Sequence, residues 1–90
     1  MSELETLFTQ YSERVKKVKN TPSDNELLEL YALYKQSTVG DCNIEEPVGW
    51  FNFEAKAKYK EWNGKKGKSK DECMNLYIEK AKIIIANDNN

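Results

Sequence analysis

Ser2-Glu3-Leu4-Glu5 and Ser69-Lys70-Asp71-Glu72 are the same helix start written near opposite ends of a 90-residue chain. In each, the serine hydroxyl can accept from the amide three residues on while the glutamate reaches back to the serine amide, satisfying two orphan donors of a helix N-terminus. Apolar residues then recur at helical period: Leu4, Leu7, Phe8, Tyr11, Val15 and Val18 after the first, Cys73, Leu76, Tyr77, Ala81 and Ile84 after the second. A third start, Thr21-Pro22-Ser23-Asp24, reads with Thr21 as cap, Pro22 at the first helical position and Asp24 near the positive end. Asn52 can cap a shorter segment that Asn63-Gly64 closes. The spacing therefore predicts helices over 3–18, 22–39, 53–62 and 70–86, with 87–90 a frayed polar tail. Short connections, no period-two segment and no internal repeat make this an all-α, four-helix bundle, a single domain over 1–90 with one modest core.

Composition removes whole classes of chemistry. There is no histidine, so the commonest general base and metal ligand are missing, and two cysteines, Cys42 and Cys73, cannot build a familiar zinc site or a Cys/His nucleophile pair. No metal and no catalytic site is expected, and a thioesterase is the least favoured activity. Both cysteines are expected as reduced thiols of a cytoplasmic protein, because the lysine- and glutamate-rich chain shows no secretory signal. The longest apolar run, Ile83-Ile84-Ile85-Ala86, is far below the ~20 residues that span a bilayer, so no stable membrane insertion is expected.

Charge is unevenly placed. Between Lys56 and Lys70 seven lysines face the single acid Glu61, a local balance of +6 that leaves −7 for the remainder of a chain of net charge −1. A small anionic partner fits that asymmetry better than long DNA, which the acidic remainder would repel. Gly64-Lys65-Lys66-Gly67-Lys68 lacks the spacing of a phosphate loop and reads as a solvated turn. Arg14, Lys16, Lys17 and Lys19 crowd the end of helix 1, either as charges complementing its dipole or with Lys16 turned toward an anion. Trp50 and Phe51 are too apolar for an idle loop; they either tuck back onto the bundle or form the lip of an apolar groove. Phe53, Ala57 and Trp62 are expected to face inward.

On a helix, Tyr31, Tyr34 and Lys35 stand at i, i+3 and i+4, so two phenols and an ammonium share a face. That face suits a ligand with a flat ring and a phosphate, although the same stripe could simply line the core. Here the sequence resembles a known family. Tyr31-Ala32-Leu33-Tyr34-Lys35-Gln36-Ser37-Thr38-Val39-Gly40-Asp41 is similar to the Tyr-x-x-Tyr-Lys-Gln-(Ala/Ser)-Thr-x-Gly-Asp signature of acyl-CoA-binding proteins. Phe53-Glu54-Ala55-Lys56-Ala57-Lys58-Tyr59-Lys60-Glu61-Trp62 and Gly67-Lys68-Ser69-Lys70-Asp71-Glu72-Cys73-Met74-Asn75-Leu76-Tyr77-Ile78 resemble two further blocks of that family, in family order.

The resemblance implies a non-catalytic monomer that binds, buffers and transports medium- to long-chain fatty acyl-CoA esters, needing no cofactor. It places Tyr31, Ala32, Leu33, Tyr34, Lys35, Lys58 and Tyr77, with Lys16 of helix 1, at the ligand. The sequence also departs from the family's usual pattern: the loop between Gly40 and Phe53 is one residue longer, Glu46 stands where a basic residue is common, and Glu54-Ala55 replaces a frequent Lys-Gly pair. Tyr11 falls where a small residue is frequent, which predicts an altered acyl groove. Two other functions compete. One is a single-stranded nucleic-acid binder using the Lys56–Lys70 patch with Tyr59 and Trp62 as stacking platforms. The other is an interaction module that contacts proteins through Trp50 and Phe51.

Overall fold

The computed structural model describes residues 2–88, in which four helices follow one another: α1 (Glu3–Val15), α2 (Asp24–Thr38), α3 (Phe53–Asn63) and α4 (Lys70–Asp88). The serine capping signal is complete at Ser2 and half-formed at Ser69, where Glu72 pairs with Lys68 at 3.4 Å. Ser2 and Glu5 form a reciprocal box, and Ser69 Oγ accepts from the Glu72 amide at 3.0 Å. Helix 2 starts later than expected, because its box belongs to Ser23 and Glu26: the Glu26 amide donates to Ser23 Oγ at 3.2 Å and the Ser23 amide to Glu26 Oε1 at 3.0 Å. Thr21 loses that competition because the residue three on is Asp24, one methylene too short to serve as the returning carboxylate. Asn52 sits at the cap of α3 but makes no side-chain cap bond; its amide donates instead to Val48 O at 2.6 Å.

Helix 1 stops at Val15, three residues early, with Lys16 as its C-cap, so Lys16, Lys17 and Lys19 lie in the connection to α2 and only Arg14 remains in the last turn. What replaces the missing turn comes from the far end of the chain. Asp88 accepts from the Lys19 and Asn20 amides at 2.9 and 2.8 Å, and these two bonds hold its carboxyl below the usual range. Asn87 and Asp88 are therefore helical rather than frayed, while residues 89–90 of the expected tail lie outside the described residues.

The core forms where α4 lies between α1 and α2. Phe8 and Val15 from α1, Leu30 and Leu33 from α2, and Cys73, Met74, Tyr77, Ile78, Ala81 and Ile84 from α4 make one buried cluster. Among the described helices α3 packs against α2 alone, and the molecule is a slab of 39 × 30 × 15 Å with α3 along one edge. Position on the edge explains why Phe53 is exposed and Ala57 only half-buried, while Trp62, at the end nearer the core, is the one buried residue of α3. Trp50 and Phe51 do not tuck onto the bundle; both stand in solvent. Cys42 and Cys73 are free, and burial pushes the Cys73 thiol up. No helix among the described residues is long and apolar enough to cross a membrane.

Candidate functional site

Three aromatic rings from three helices meet, buried Phe8 and Tyr77 beside the more exposed Tyr34. Phe8 of α1 stacks on Tyr34 of α2 with centroids 5.4 Å apart, and meets Tyr77 of α4 edge-on at 5.1 Å. Tyr34 and Tyr77 complete the triangle at 6.1 Å. Aromatic contacts of this geometry add to the area they bury, so the trio fixes the orientation of both tyrosines. Tyr77 is buried, which pushes its hydroxyl up to about 12, with Tyr34 beside it adding in the same direction. Like any phenol it is a protonated donor at neutral pH, and burial widens that margin.

Above this trio lies a hollow of about 500 Å³ bounded by Tyr31, Tyr34 and Tyr77, by Leu27 and Leu30 of α2, and by Lys16 beside Val15 at the end of α1. Val18, Thr21 and Pro22 of the α1–α2 connection close one side. A second hollow, of about 490 Å³, runs between α2 and α3 and is lined by Leu27, Leu28, Phe53 and Ala57 with Asp24, Glu54 and Lys58 at its rim. Leu27 belongs to both walls. Between the two, Lys58 Nζ reaches over the Tyr31 ring, 5.2 Å from its centroid, while pairing with Glu54 at 3.1 Å. Farther along the α2–α3 seam Lys35 Nζ lies 5.6 Å from the Trp62 ring.

Of the residues expected at a ligand, the fold gathers Lys16, Tyr31, Tyr34 and Tyr77 around one hollow and sets Lys58 against the ring of Tyr31. Lys35 stands one rung away, over Trp62, and does not line the hollow. Ala32 and Leu33 are on the other side of α2, fully buried in the core, where neither side chain has surface to offer a ligand. The reason is the helical period: residues adjacent in a motif are about 100° apart around the axis. Tyr11 is also elsewhere. Its ring is approached by Arg14 at 4.9 Å and Lys82 at 5.8 Å and lines neither hollow, so its bulk does not narrow them. Sequence reasoning marks Val18, Thr21 and Pro22 only as helix end and helix start; the signal for a wall is an apolar residue and a proline on the same short connection.

The remaining signature residues build the frame. Gln36, fully buried, donates through Nε2 to Asp41 Oδ1 at 2.8 Å and to Lys68 O at 3.1 Å. Asp41 Oδ1 also accepts from the Gly67 amide at 2.9 Å; that bond first, then Gln36, holds the carboxyl low. Trp62 Nε1 donates to Gly40 O at 2.8 Å. Gly40 itself has φ +99, a conformation L side chains rarely adopt, which ends α2 and aims its carbonyl at the indole. The lysine-rich turn is thus tied to the end of α2 instead of being loose, and Lys65 reinforces it with both Glu29 oxygens at 3.0 Å. Three of the seven lysines between Lys56 and Lys70 are ion-paired, and of the two rings that a single-stranded nucleic acid would stack on, Trp62 is 2% exposed and Tyr59 half-buried.

Rings with hydroxyls, flanking ammoniums and an adjoining apolar trough can hold an anionic amphiphile bearing a flat ring. Comparison with known proteins agrees. The family model described as Acyl CoA binding protein matches residues 5–81. The chain is 50% identical over 73 residues to the acyl-CoA-binding protein of Dictyostelium discoideum, covering 81% of this chain and 86% of that one. It is 41% identical over 83 residues to the acyl-CoA-binding protein homolog of Manduca sexta, covering 92% of each chain. Among solved structures, Oryza sativa Acyl-CoA-Binding Protein 2 superposes with a TM-score of 0.90 at 37% identity, over 97% of this chain and 94% of the other. With the family model and these relatives spanning most of its length, the chain belongs to the acyl-CoA-binding protein family.

Proposed function

We propose that this protein binds fatty acyl-CoA esters without transforming them, and buffers and carries medium- to long-chain esters in the cytoplasm as a monomer that needs no cofactor. One observation carries the reading: Tyr31, Tyr34, Tyr77 and Lys16 share a single hollow, with Lys58 laid against Tyr31 at the passage to a second, apolar one. The nucleotide head fits the first. Its ring can stack on a tyrosine face, worth on the order of 1 to 3 kcal/mol, and its phosphates find Lys16 and Lys58. The fatty tail fits the trough of Leu27, Leu28 and Ala57, where each buried methylene contributes up to about 0.8 kcal/mol.

Charge on the head sets orientation, and apolar burial supplies much of the strength. Lys35, over Trp62, acts at the edge of the site, within reach of a phosphate extending along the α2–α3 seam. Tyr77, whose hydroxyl burial pushes up to about 12, serves in the first hollow as a hydrogen-bond donor. Calorimetric titration with palmitoyl-CoA, CoA and palmitate tests the proposal. Palmitoyl-CoA should bind more tightly than either part, and Tyr31→Ala should weaken it roughly tenfold or more while the helical spectrum is unchanged. Equal affinity for CoA and palmitoyl-CoA would remove the tail from the site, and no binding of either would remove the function.

A further inference from the structure

The turn between α2 and α3 carries the most exposed large apolar side chains of the molecule: Val48, Trp50, Phe51 and Phe53 are 80%, 86%, 96% and 77% exposed. Single surface hydrophobics are ordinary, but four within six residues form a patch of the kind that marks an interaction surface. The turn is braced. Gly49 takes φ +109, and Asn52 Nδ2 donates to Val48 O at 2.6 Å, closing the turn on itself so that the rings between them project.

Behind the tip, α3 packs against α2 alone and leaves its outer side free. Phe53, Lys56 and Lys60 stand at i, i+3 and i+7, so two exposed ammoniums follow the exposed ring along one helix face. Lys58 has its partner in Glu54, whereas Lys56 and Lys60 have none among the described residues.

We infer that this tip docks the protein on the surface of an anionic lipid bilayer, with Trp50 and Phe51 entering the boundary between headgroups and acyl chains and Lys56 and Lys60 resting on headgroup phosphates. Aromatic rings favour that boundary, and lysines behind them can keep their heads among the anions. Rings at the tip with cations one and two helical turns behind is the order of depth in a membrane interface, which a protein pocket has no need to reproduce. Glu45 and Glu46, at the start of the same turn, oppose an anionic surface, so the rings carry most of the attachment and salt weakens it without abolishing it. Phe53 also lines the second hollow, so docking brings the mouth of that hollow against lipid. Attachment itself needs no ligand in either hollow.

The full chain is mixed with vesicles of phosphatidylcholine and phosphatidylserine in equal parts, and both sedimentation and tryptophan emission are read. Trp62 is buried, so a blue shift reports Trp50. The wild type should sediment with the vesicles and shift to the blue. The double variant Trp50→Ser/Phe51→Ser, which removes side chains the fold does not bury, should lower partitioning roughly tenfold or more. Lys56→Gln/Lys60→Gln should lower it less and remove most of the salt sensitivity. The Trp50→Ser/Phe51→Ser variant should bind palmitoyl-CoA in vesicle-free solution as the wild type does, which separates failure of docking from failure of the carrier reading. A wild type that stays in the supernatant with unshifted emission overturns lipid docking and leaves a protein pocket as the occupant. A tip variant that partitions as well as the wild type overturns it too.

Discussion

Lys58 divides its charge between two neighbours, the face of Tyr31 at 5.2 Å and the carboxylate of Glu54 at 3.1 Å. The second neighbour is a property of this chain, since Glu54 occupies a place where the family frequently carries lysine. An acid beside a cation that is to hold phosphate opposes binding, but Glu54 is 82% exposed and solvent screens most of the effect. Glu54→Gln should therefore tighten palmitoyl-CoA binding by a factor of about two to five, read by calorimetry, with the gain shrinking as salt is raised. Residue placement was legible where chemistry and helical period agreed. Tyr31 and Tyr34 share a face in any α2 the sequence could form, whereas Ala32 and Leu33 are contiguous with them in the motif and opposite to them on the helix. Lys35 shows the limit of the rule: its long stem lets the ammonium leave the shared face and settle on an indole that the sequence alone could not place beside it.

At the scale of elements, the end of α2, the end of α3 and the turn into α4 are one hydrogen-bonded unit built from Gln36, Gly40, Asp41, Trp62 and Gly67. These signature residues frame the site and do not line its hollows. Trp62→Phe strands the Gly40 carbonyl and leaves a smaller ring at a buried site; the lost hydrogen bond alone should cost about 1–3 kcal/mol of stability in denaturant titration. Ligand affinity should fall less than stability, since Tyr34 and Tyr77 are held by each other and by Phe8 of α1. Helix starts were legible at Ser2 and Ser69, where serine and glutamate stand three apart and the signal is local, but the same pair at Ser23 and Glu26 was hidden behind Thr21-Pro22, which offers a start of its own two residues earlier. Helix 1's early end and the exposure of Trp50 and Phe51 were not legible, for opposite reasons. The first goes with a partner distant in sequence, Asp88 of α4, which takes up the Lys19 and Asn20 amides, and the second with a slab whose edge helix offers nothing for those rings to pack on.

The whole molecule should respond to pH at both extremes, by different groups. Glu5, Glu26, Asp41 and Asp88 each accept backbone hydrogen bonds that hold them below their ordinary values of 4.5 for glutamate and 3.8 for aspartate. As pH falls through that range the unfolded chain takes up protons before the native one, so the stability these groups confer is present above it and lost below it. On the alkaline side the sign follows from Tyr77, pushed up from 10.0 to about 12 by burial. The unfolded phenol ionises first, so stability is full below pH 10 and falls between 10 and 12, by on the order of 2 kcal/mol. Denaturation midpoints measured across pH should trace both limbs, and Tyr77→Phe should flatten the alkaline one alone.

Asp88 joins the last described turn of the chain to the strip that walls the first hollow, and it does so through two amide protons, those of Lys19 and Asn20. A guest pressing on Val18, Thr21 and Pro22 should therefore slow hydrogen exchange at just those two amides, and unchanged exchange on adding palmitoyl-CoA would show that the strip does not feel the hollow fill.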